Sequence, residues 1–238
     1  MADPRPFDVP RYLSVLPLFT DIGPVALQRV AEGCQLRRMA RGDMVFRVGE
    51  PCEAFHVTVL GQVKLYGLSP AGQEKVIELV GPGQSFAEAL MFGDRPYIIN
   101  AQALTDSLVL SVGKAAVVGE IDRDPHFALR MLAGMSRRLH GLVNDVQAYA
   151  LHSGLQRVIG YLLRDHIDAD GEGEPSTGEV VVQLPVSKAT IASRLSLTPE
   201  YLSRVLRELE EQGLIAVDKR DIRIPDVSAL AAWQAQGA

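Results

Sequence analysis

Two short helical patterns that meet at a polar turn, between residues 188 and 215, place the strongest limit on how this chain can fold. In the second pattern, apolar residues recur at the i, i+3, i+4 and i+7 spacing of one helix face; they are Leu202, Val205, Leu206 and Leu209. Thr198 suits an N-cap, Pro199 the first helical position and Gly213 the C′ position. Because so short a helix needs a core to dock on, its apolar face must be buried and its polar face must point outward.

The outward face of this second helix offers a carboxylate, a hydroxyl and two guanidinium groups, from Glu200, Ser203, Arg204 and Arg207. Groups of these kinds read base edges in the major groove of DNA. An ordinary helical hairpin with a solvated charged face is the competing interpretation. The helix pair alone favours DNA binding only modestly, so the rest of the chain has to decide.

Composition limits the class of protein. The chain has 238 residues, long enough for two domains, and 47% of them are hydrophobic, which favours packed cores. No apolar run approaches the ~20 residues of a membrane span, and the N-terminus lacks a signal pattern, so we expect a cytoplasmic protein with no membrane partner. The net charge of −5 argues against broad electrostatic binding to nucleic acid, so any DNA contact must come from the arrangement of a few groups.

The first half of the chain has the rhythm of a jelly roll. From about Cys34, short runs rich in Val, Leu and Phe are broken by glycine about every ten residues. Within one run, Phe55 and Val57 alternate with His56 and Thr58, the period of a strand. Many short strands at even spacing predict a roll or sandwich that ends near Val112.

A long helix follows, and its apolar residues form a seam. Asp124 suits its N-cap and Pro125 its first position. Apolar residues at alternating spacings of three and four predict a coiled-coil seam that pairs with a second copy in a parallel homodimer. The seam residues are Leu132, Met135, Leu139, Leu142 and Val146. The alternative is a helix that packs only on its own domain.

The remaining segments complete a winged helix–turn–helix module. A helical pattern at 152–167 is followed by a polar loop at 168–178, a Val-rich strand at 179–184, the helix pair, and a hairpin that turns near Lys219 and Arg220. The predicted fold class is α+β. The predicted domains are a jelly-roll sensor domain at 1–122, a dimerisation helix at 123–151 and a winged helix–turn–helix domain at 152–238.

The order of these parts resembles the Crp/Fnr family of bacterial transcription regulators. The resemblance covers nearly the whole chain and is carried by four motifs, which are Arg41-Gly42-Asp43, Gly61-Gln62-Val63-Lys64, Gly72-Gln73-Glu74 and Glu200-Tyr201-Leu202-Ser203-Arg204. It implies double-stranded DNA, a second copy of the chain and RNA polymerase as partners.

The last of these motifs has the E-x-x-S-R pattern of the Fnr-type reading helix, which recognises TTGAT half-sites in an inverted repeat. The resemblance implies that Arg204 contacts guanine, Glu200 accepts from cytosine or adenine amino groups, and Ser203 assists. Base chemistry agrees independently, since arginine pairs with guanine O6 and N7 and carboxylates accept from cytosine N4. The candidate phosphate contacts are Lys188, Thr190, Ser196 and Arg207.

The resemblance also marks an effector segment, with Phe86, Glu88, Ile98 and Ile99 as candidate pocket residues. Glu88 matches the ribose-binding glutamate of cyclic-nucleotide-binding members. Their phosphate-binding Arg-Ser pair falls here on Ile98-Ile99 or on Ile99-Asn100. A buried phosphate without its guanidinium would be poorly compensated, so we do not expect cyclic AMP to be the effector.

The sequence does not decide which cofactor the protein binds. The Phe86-Ala87-Glu88-Ala89 segment is similar to the Dnr branch of the family, whose members respond to nitric oxide and in which haem has been implicated. Haem needs an axial ligand such as imidazole. The candidates are His56, His126 and His140, and for each a surface or structural role is the competing interpretation.

Two other functions compete with a nitric-oxide regulator. A cupin-like metal enzyme would need two or three histidines and a carboxylate together, whereas the roll region contains only His56. No Ser-His-Asp, P-loop or paired-carboxylate pattern is present either, so we expect no enzyme. A regulator of the same fold that responds to a cyclic nucleotide or another small ligand remains the alternative.

Overall fold

The computed structural model describes residues 7–19, 22–93, 95–164 and 179–236. The chain divides into two compact units, Met1–Gly141 and Leu142–Ala238. The first holds paired β-sheets and most of the long helix, and the second holds the C-terminal module. The architecture is α+β, as predicted, while the predicted loop at 168–178 lies outside the described residues.

In the described part of the first unit, eight strands form two antiparallel four-stranded sheets. The strands are β1 (Cys34–Met39), β2 (Met44–Phe46), β3 (Ala54–Leu60), β4 (Val63–Leu68), β5 (Glu74–Val80), β6 (Ser85–Phe86), β7 (Asn100–Ala103) and β8 (Ser107–Gly113). One sheet has the order β1-β8-β3-β6 and the other β2-β7-β4-β5. Apart from β4 and β5, which are paired in one sheet, consecutive strands alternate between the sheets in the manner of a jelly roll, so that prediction is confirmed.

Helices of the first unit precede and follow the roll, and one short helix lies between its strands β6 and β7. They are α1 (Val9–Ser14), α2 (Pro24–Glu32), α3 (Glu88–Met91), α4 (Lys114–Arg123) and α5 (Pro125–Leu151), the last of which continues into the second unit. The predicted N-terminus of α5 is confirmed, because Asp124 accepts a hydrogen bond from the backbone N–H of His126 at 3.0 Å and Pro125 opens the helix. No helix within the described ranges combines the length and apolar character needed to cross a bilayer.

The sheet that contains β3 is buried on both faces. Phe55 and Val57 lie in the core formed with the helices, in contact with a layer that includes Phe19 and Phe127. The alternating residues His56 and Thr58 are buried as well. The alternating pattern therefore predicted correctly which residues of β3 share a face. The face that carries His56 and Thr58 is nevertheless buried, because the second sheet covers it.

Helix α5 has one buried side and one exposed side. Phe127 and Met131 are buried in the helical core of the roll. Three of the predicted seam residues, Leu132, Leu139 and Val146, are exposed. Met135 is half-buried, and the Leu142 side chain lies outside the described part of the structure.

The second unit forms a winged helix–turn–helix, as predicted. Its elements are α6 (Gly154–Leu163), β9 (Val180–Gln183), α7 (Lys188–Arg194), α8 (Pro199–Glu211), β10 (Ala216–Asp218), β11 (Asp221–Ile224) and α9 (Val227–Gln236). The strands form an antiparallel sheet in the order β10-β11-β9, and β10 and β11 are joined by a turn at Lys219 and Arg220. Helix α9 was not predicted from the sequence.

One tight turn of the roll yields a stability prediction. Gly61 has φ of 85°, and a Cβ there would lie 2.6 Å from the Asp106 carbonyl oxygen. Gly42 also has a positive φ, of 96°, but no atom lies within 4 Å of its would-be Cβ. Both alanine substitutions carry the ~1–2 kcal/mol cost of a left-handed backbone. We expect Gly61→Ala to cost about 1–3 kcal/mol more than Gly42→Ala, because only Gly61 lacks room.

Chemical denaturation of both variants, followed by circular dichroism, measures this difference. Equal losses of stability in the two variants would contradict the steric account of Gly61.

Candidate nucleic-acid interface and sensor site

Side-chain caps fix the two helices of the DNA-binding module. Ser187 caps α7 by accepting from the N–H of Thr190 at 3.3 Å, and Thr198 caps α8 by accepting from the N–H of Tyr201 at 3.2 Å. Pro199 opens α8, as predicted. In the turn between them, Ser196 adopts φ of 57°, a left-handed conformation that reverses the chain sharply.

The two faces of α8 differ as the sequence predicted. Its apolar residues, Leu202, Val205, Leu206 and Leu209, are all buried. The predicted DNA-facing residues, Glu200, Ser203, Arg204 and Arg207, are all exposed. The structure thus places the four polar side chains together on the solvent side of one helix, while their contacts with DNA remain a prediction.

Each base-reading candidate has a defined local environment. Glu200 lies in the first turn of α8, where the helix dipole favours a carboxylate. The Ser203 hydroxyl donates to the Pro199 carbonyl oxygen at 2.8 Å, which leaves its oxygen lone pairs to accept from a base. The Arg204 guanidinium carbon lies 4.7 Å from the centre of the Tyr201 ring.

The phosphate candidates are spread over α7, the turn and α8. Lys188 and Thr190 are half-buried in the first turn of α7, and the Thr190 hydroxyl is hydrogen-bonded to that of Ser187 at 2.9 Å. Ser196, in the turn, and Arg207, on α8, are exposed.

Three supporting contacts of this module were missed in the sequence. Arg157 on α6 donates to the Leu195 carbonyl oxygen at 2.7 Å, and Glu210 accepts from the Val217 N–H at 3.0 Å, which joins α8 to the wing. The Tyr201 ring packs against Gly154. Of these residues, only Tyr201 could have been singled out from the sequence, because it is an aromatic residue inside the reading motif.

The effector-segment candidates are not brought together inside the roll. Phe86 and Glu88 are buried, and Ser85 donates to the Glu88 carboxylate at 2.8 Å. Ile98 is 64% exposed and Ile99 is half-buried. In both predicted registers the expected arginine position is occupied by an isoleucine, which is exposed if the position is Ile98 and half-buried if it is Ile99.

His56 lies in the interior of the roll in a fixed tautomer. Its Nδ1 lies 3.0 Å from the Ser111 hydroxyl, and its Nε2 lies 3.0 Å from the Tyr97 hydroxyl. Tyr97 donates its single proton to the Ala54 carbonyl oxygen at 2.9 Å, so Nε2 must donate to Tyr97 and Nδ1 must accept from Ser111. Burial, aided by the nearby charge of Arg37, lowers the pKa of His56 to about 3.

Aromatic rings surround this imidazole. The Phe46 and Tyr97 rings stack with centres 3.6 Å apart and planes within 7°, and the Phe86 ring centre lies 5.3 Å from that of His56. His126 and His140 differ from His56 because both are exposed on α5, and His126 lies 3.8 Å from the Asp124 carboxylate. Across the described residues, no group of three or more His, Cys, Asp or Glu is placed to hold a metal ion.

The buried imidazole makes stability depend on pH. In the unfolded chain His56 gains a proton near pH 6.5, whereas in the folded protein it stays neutral until about pH 3. The unfolded state binds more protons in this window, so stability falls as pH falls, by at most ~1.4 kcal/mol per pH unit. We expect His56→Gln to show a shallower loss than the natural protein between pH 6.5 and 5 in urea titrations. Parallel pH curves for the two proteins would show that His56 is not the group responsible.

The paired sheets and the winged module with its exposed polar helix define a transcription regulator that joins a sensor domain to a DNA-binding domain. Two family profiles agree with this division: the cyclic nucleotide-binding domain matches residues 36–124, and the Crp-like helix-turn-helix domain matches residues 156–233. The chain belongs to the Crp/Fnr family of transcription regulators.

Relatives match along most of the chain. The structure of DNR from Pseudomonas aeruginosa is 34% identical, covers 93% of this chain and 96% of that one, and has a TM-score of 0.51. The CRP-like cAMP-activated global transcriptional regulator of Mycobacterium tuberculosis is 24% identical over 90% of this chain and 94% of that protein. FixK2 from Bradyrhizobium japonicum, 21% identical over 84% of this chain and 96% of that one, shares the fold with a TM-score of 0.71.

Proposed function

We propose that this regulator is a cytoplasmic homodimer that binds an inverted repeat of the TTGAT-N4-ATCAA kind and acts with RNA polymerase. The observation that carries the proposal is the exposed face of α8, where Glu200, Ser203 and Arg204 stand on a helix anchored by four buried apolar residues. The M. tuberculosis relative and DNR are both named as transcriptional regulators, and no observation on the described residues favours an enzyme.

The geometry of α8 supports a division of roles on each half-site. A guanidinium that projects from the N-terminal half of the helix can pair with guanine O6 and N7. The Glu200 carboxylate and the Ser203 oxygen both accept hydrogen bonds, which suits the amino groups of cytosine and adenine. Phosphate contacts from Lys188, Thr190, Ser196 and Arg207 would set the position of the helix without reading sequence.

Alanine substitutions at Arg204 and Lys188 are expected to affect DNA binding in different ways. We expect Arg204→Ala to cost about 1–3 kcal/mol per half-site and to relax the preference for guanine. Lys188→Ala should weaken binding to all sequences alike and reduce the salt slope by about one unit per half-site, because a phosphate contact releases counterions. Binding of both variants to single-base variants of the repeat, at several salt concentrations, measures these effects. Uniform weakening by Arg204→Ala would make Arg204 a phosphate contact instead.

The exposed side of α5 supports pairing with a second copy. Leu132, Leu139 and Val146 recur every seven residues and are all exposed, and Leu129 and Val143 are exposed three residues before two of them. Leu132, Leu139 and Val146 form one apolar row, and Leu129 and Val143 lie on a second row whose middle position is Ser136. Two rows at seven-residue spacing form the a and d positions of a coiled coil. We therefore add Leu129 and Val143 to the seam. A two-fold dimer also matches the symmetry of an inverted repeat.

Leu139 tests this dimer against a matched control. Leu139 is 61% exposed in the single chain, and Leu60, on the roll, is 64% exposed. We expect Leu139→Glu to disrupt the dimer, because a charge buried between two helices costs several kcal/mol, and Leu60→Glu to leave it intact. Light scattering measures the mass of each variant. A folded Leu139→Glu protein that stays fully dimeric would exclude this face of α5.

We also propose that the effector is not a cyclic nucleotide. The M. tuberculosis relative is named as cAMP-activated, but Ile98 and Ile99 here supply no guanidinium for a phosphate. We expect isothermal calorimetry with cyclic AMP to show no micromolar binding, which would correspond to about −8 kcal/mol. A micromolar dissociation constant at one site per chain would restore the cyclic-nucleotide alternative.

Nitric oxide is the signal that we propose from the resemblance to the Dnr branch, and the 34% identity with DNR supports it. None of the three candidate histidines offers an unbonded ring nitrogen inside the roll in this conformation. His56 has both ring nitrogens hydrogen-bonded, while His126 and His140 are exposed on α5. Absorption spectra of protein supplied with haem, before and after anaerobic nitric oxide, test whether haem binds at all. An unchanged spectrum would leave another small ligand as the effector.

A further inference from the structure

We infer that Tyr201 positions Arg204 for base reading and that Gly154 makes room for Tyr201. Tyr201 lies on α8 between the predicted base-reading residues Glu200 and Ser203, and it was assigned no role from the sequence. Its ring is half-buried and lies next to the Arg204 guanidinium, with 4.7 Å between the guanidinium carbon and the ring centre. This separation is within the range of a cation–π contact.

Gly154 explains how the ring is held. A Cβ built on Gly154 would lie 2.5 Å from Cε1 of Tyr201 and 2.8 Å from both Cζ and the hydroxyl oxygen. The outer edge of the ring therefore rests directly on the backbone at the start of α6. Any side chain at residue 154 would push the ring away from its present place.

Hydrogen bonds hold the backbone on which the Tyr201 ring rests. The N–H of Gln156 donates to the Ser153 hydroxyl at 3.2 Å, and the N–H of Ser153 donates to the Gln156 side chain at 2.8 Å. This reciprocal capping box satisfies backbone donors at the start of α6. Gly154 lies between these two residues, so the ring of Tyr201 abuts an ordered backbone.

Stacking and base reading are compatible on one guanidinium. The group is flat, so its face can rest on the Tyr201 ring while the N–H groups at its edge point toward guanine O6 and N7. An unrestrained arginine loses much side-chain freedom when it binds. An arginine already held against a ring loses less, which strengthens the guanine contact specifically.

The inference rests on the proposed base-reading role of Arg204, and its test uses Tyr201→Leu with Tyr201→Phe as the conservative control. The readout is the ratio of affinities for the TTGAT repeat and a repeat in which guanine is replaced by adenine. We expect Tyr201→Leu to lower this ratio about two- to five-fold per half-site, the range of an exposed cation–π contact. Tyr201→Phe should keep the natural ratio, because it retains the ring. The salt slope should not change in either variant.

Gly154→Ala provides a second route to the same result, since it displaces the ring without altering α8. Helical circular dichroism and thermal denaturation show whether each variant is folded. We expect folded Gly154→Ala to lose guanine preference as Tyr201→Leu does. Equal weakening of both repeats by Tyr201→Leu, or as large a loss of the ratio in Tyr201→Phe, would overturn the positioning role.

Arg204→Ala separates the two hypotheses. If Arg204→Ala leaves the ratio unchanged, the base-reading role fails, and the positioning role fails with it. If Arg204→Ala abolishes the preference while Tyr201→Leu keeps the natural ratio, only the positioning role fails. In the Arg204→Ala background, Tyr201→Leu should have no further effect on the ratio, because the group that it positions is gone.

Discussion

Burial of the apolar face of α8 is the constraint on which the DNA-binding module depends. Leu202, Val205, Leu206 and Leu209 can leave water only if the helix docks on its own unit, and docking in that direction turns Glu200 and Arg204 outward. The caps at Ser187 and Thr198 then set where each helix begins. A polar reading surface thus results from an apolar packing requirement, without the strongly positive net charge that nonspecific DNA binding would need.

A second constraint acts in the roll, where one sheet is covered on both sides. Residues that alternate along β3 therefore enter two different cores, one shared with the helices and one shared with the second sheet. The second core holds His56, and its surroundings leave the imidazole neutral with both nitrogens hydrogen-bonded. A histidine that the sequence offers as a haem ligand is, in this conformation, a structural link between Tyr97 and Ser111.

Helix α5 has one side that packs into a core and one apolar side that is exposed to solvent. Phe127 and Met131 join it to the core of the roll, whereas Leu132 and Leu139 remain in solvent. An apolar row that a single chain leaves uncovered, at seven-residue spacing, is the pattern of a helix with a partner helix. We propose a second copy of the chain as that partner, which would match the two-fold symmetry of the proposed DNA site.

The sequence by itself determined the order of the roll, the long helix and the winged module, the caps of α5 and α8, the wing and the residues exposed on α8. These features depend on local signals, such as helical and strand periods, Pro199 and Thr198, which act over a few residues. Only the tertiary structure decided that the polar face of β3 is buried, that Tyr97 and Ser111 both reach His56, and that Gly154 lies under Tyr201. Those contacts join residues 41 to 55 positions apart around His56, and 47 positions apart at Tyr201. These long-range contacts cannot be predicted from local sequence periodicity, because they depend on how separate elements pack against one another.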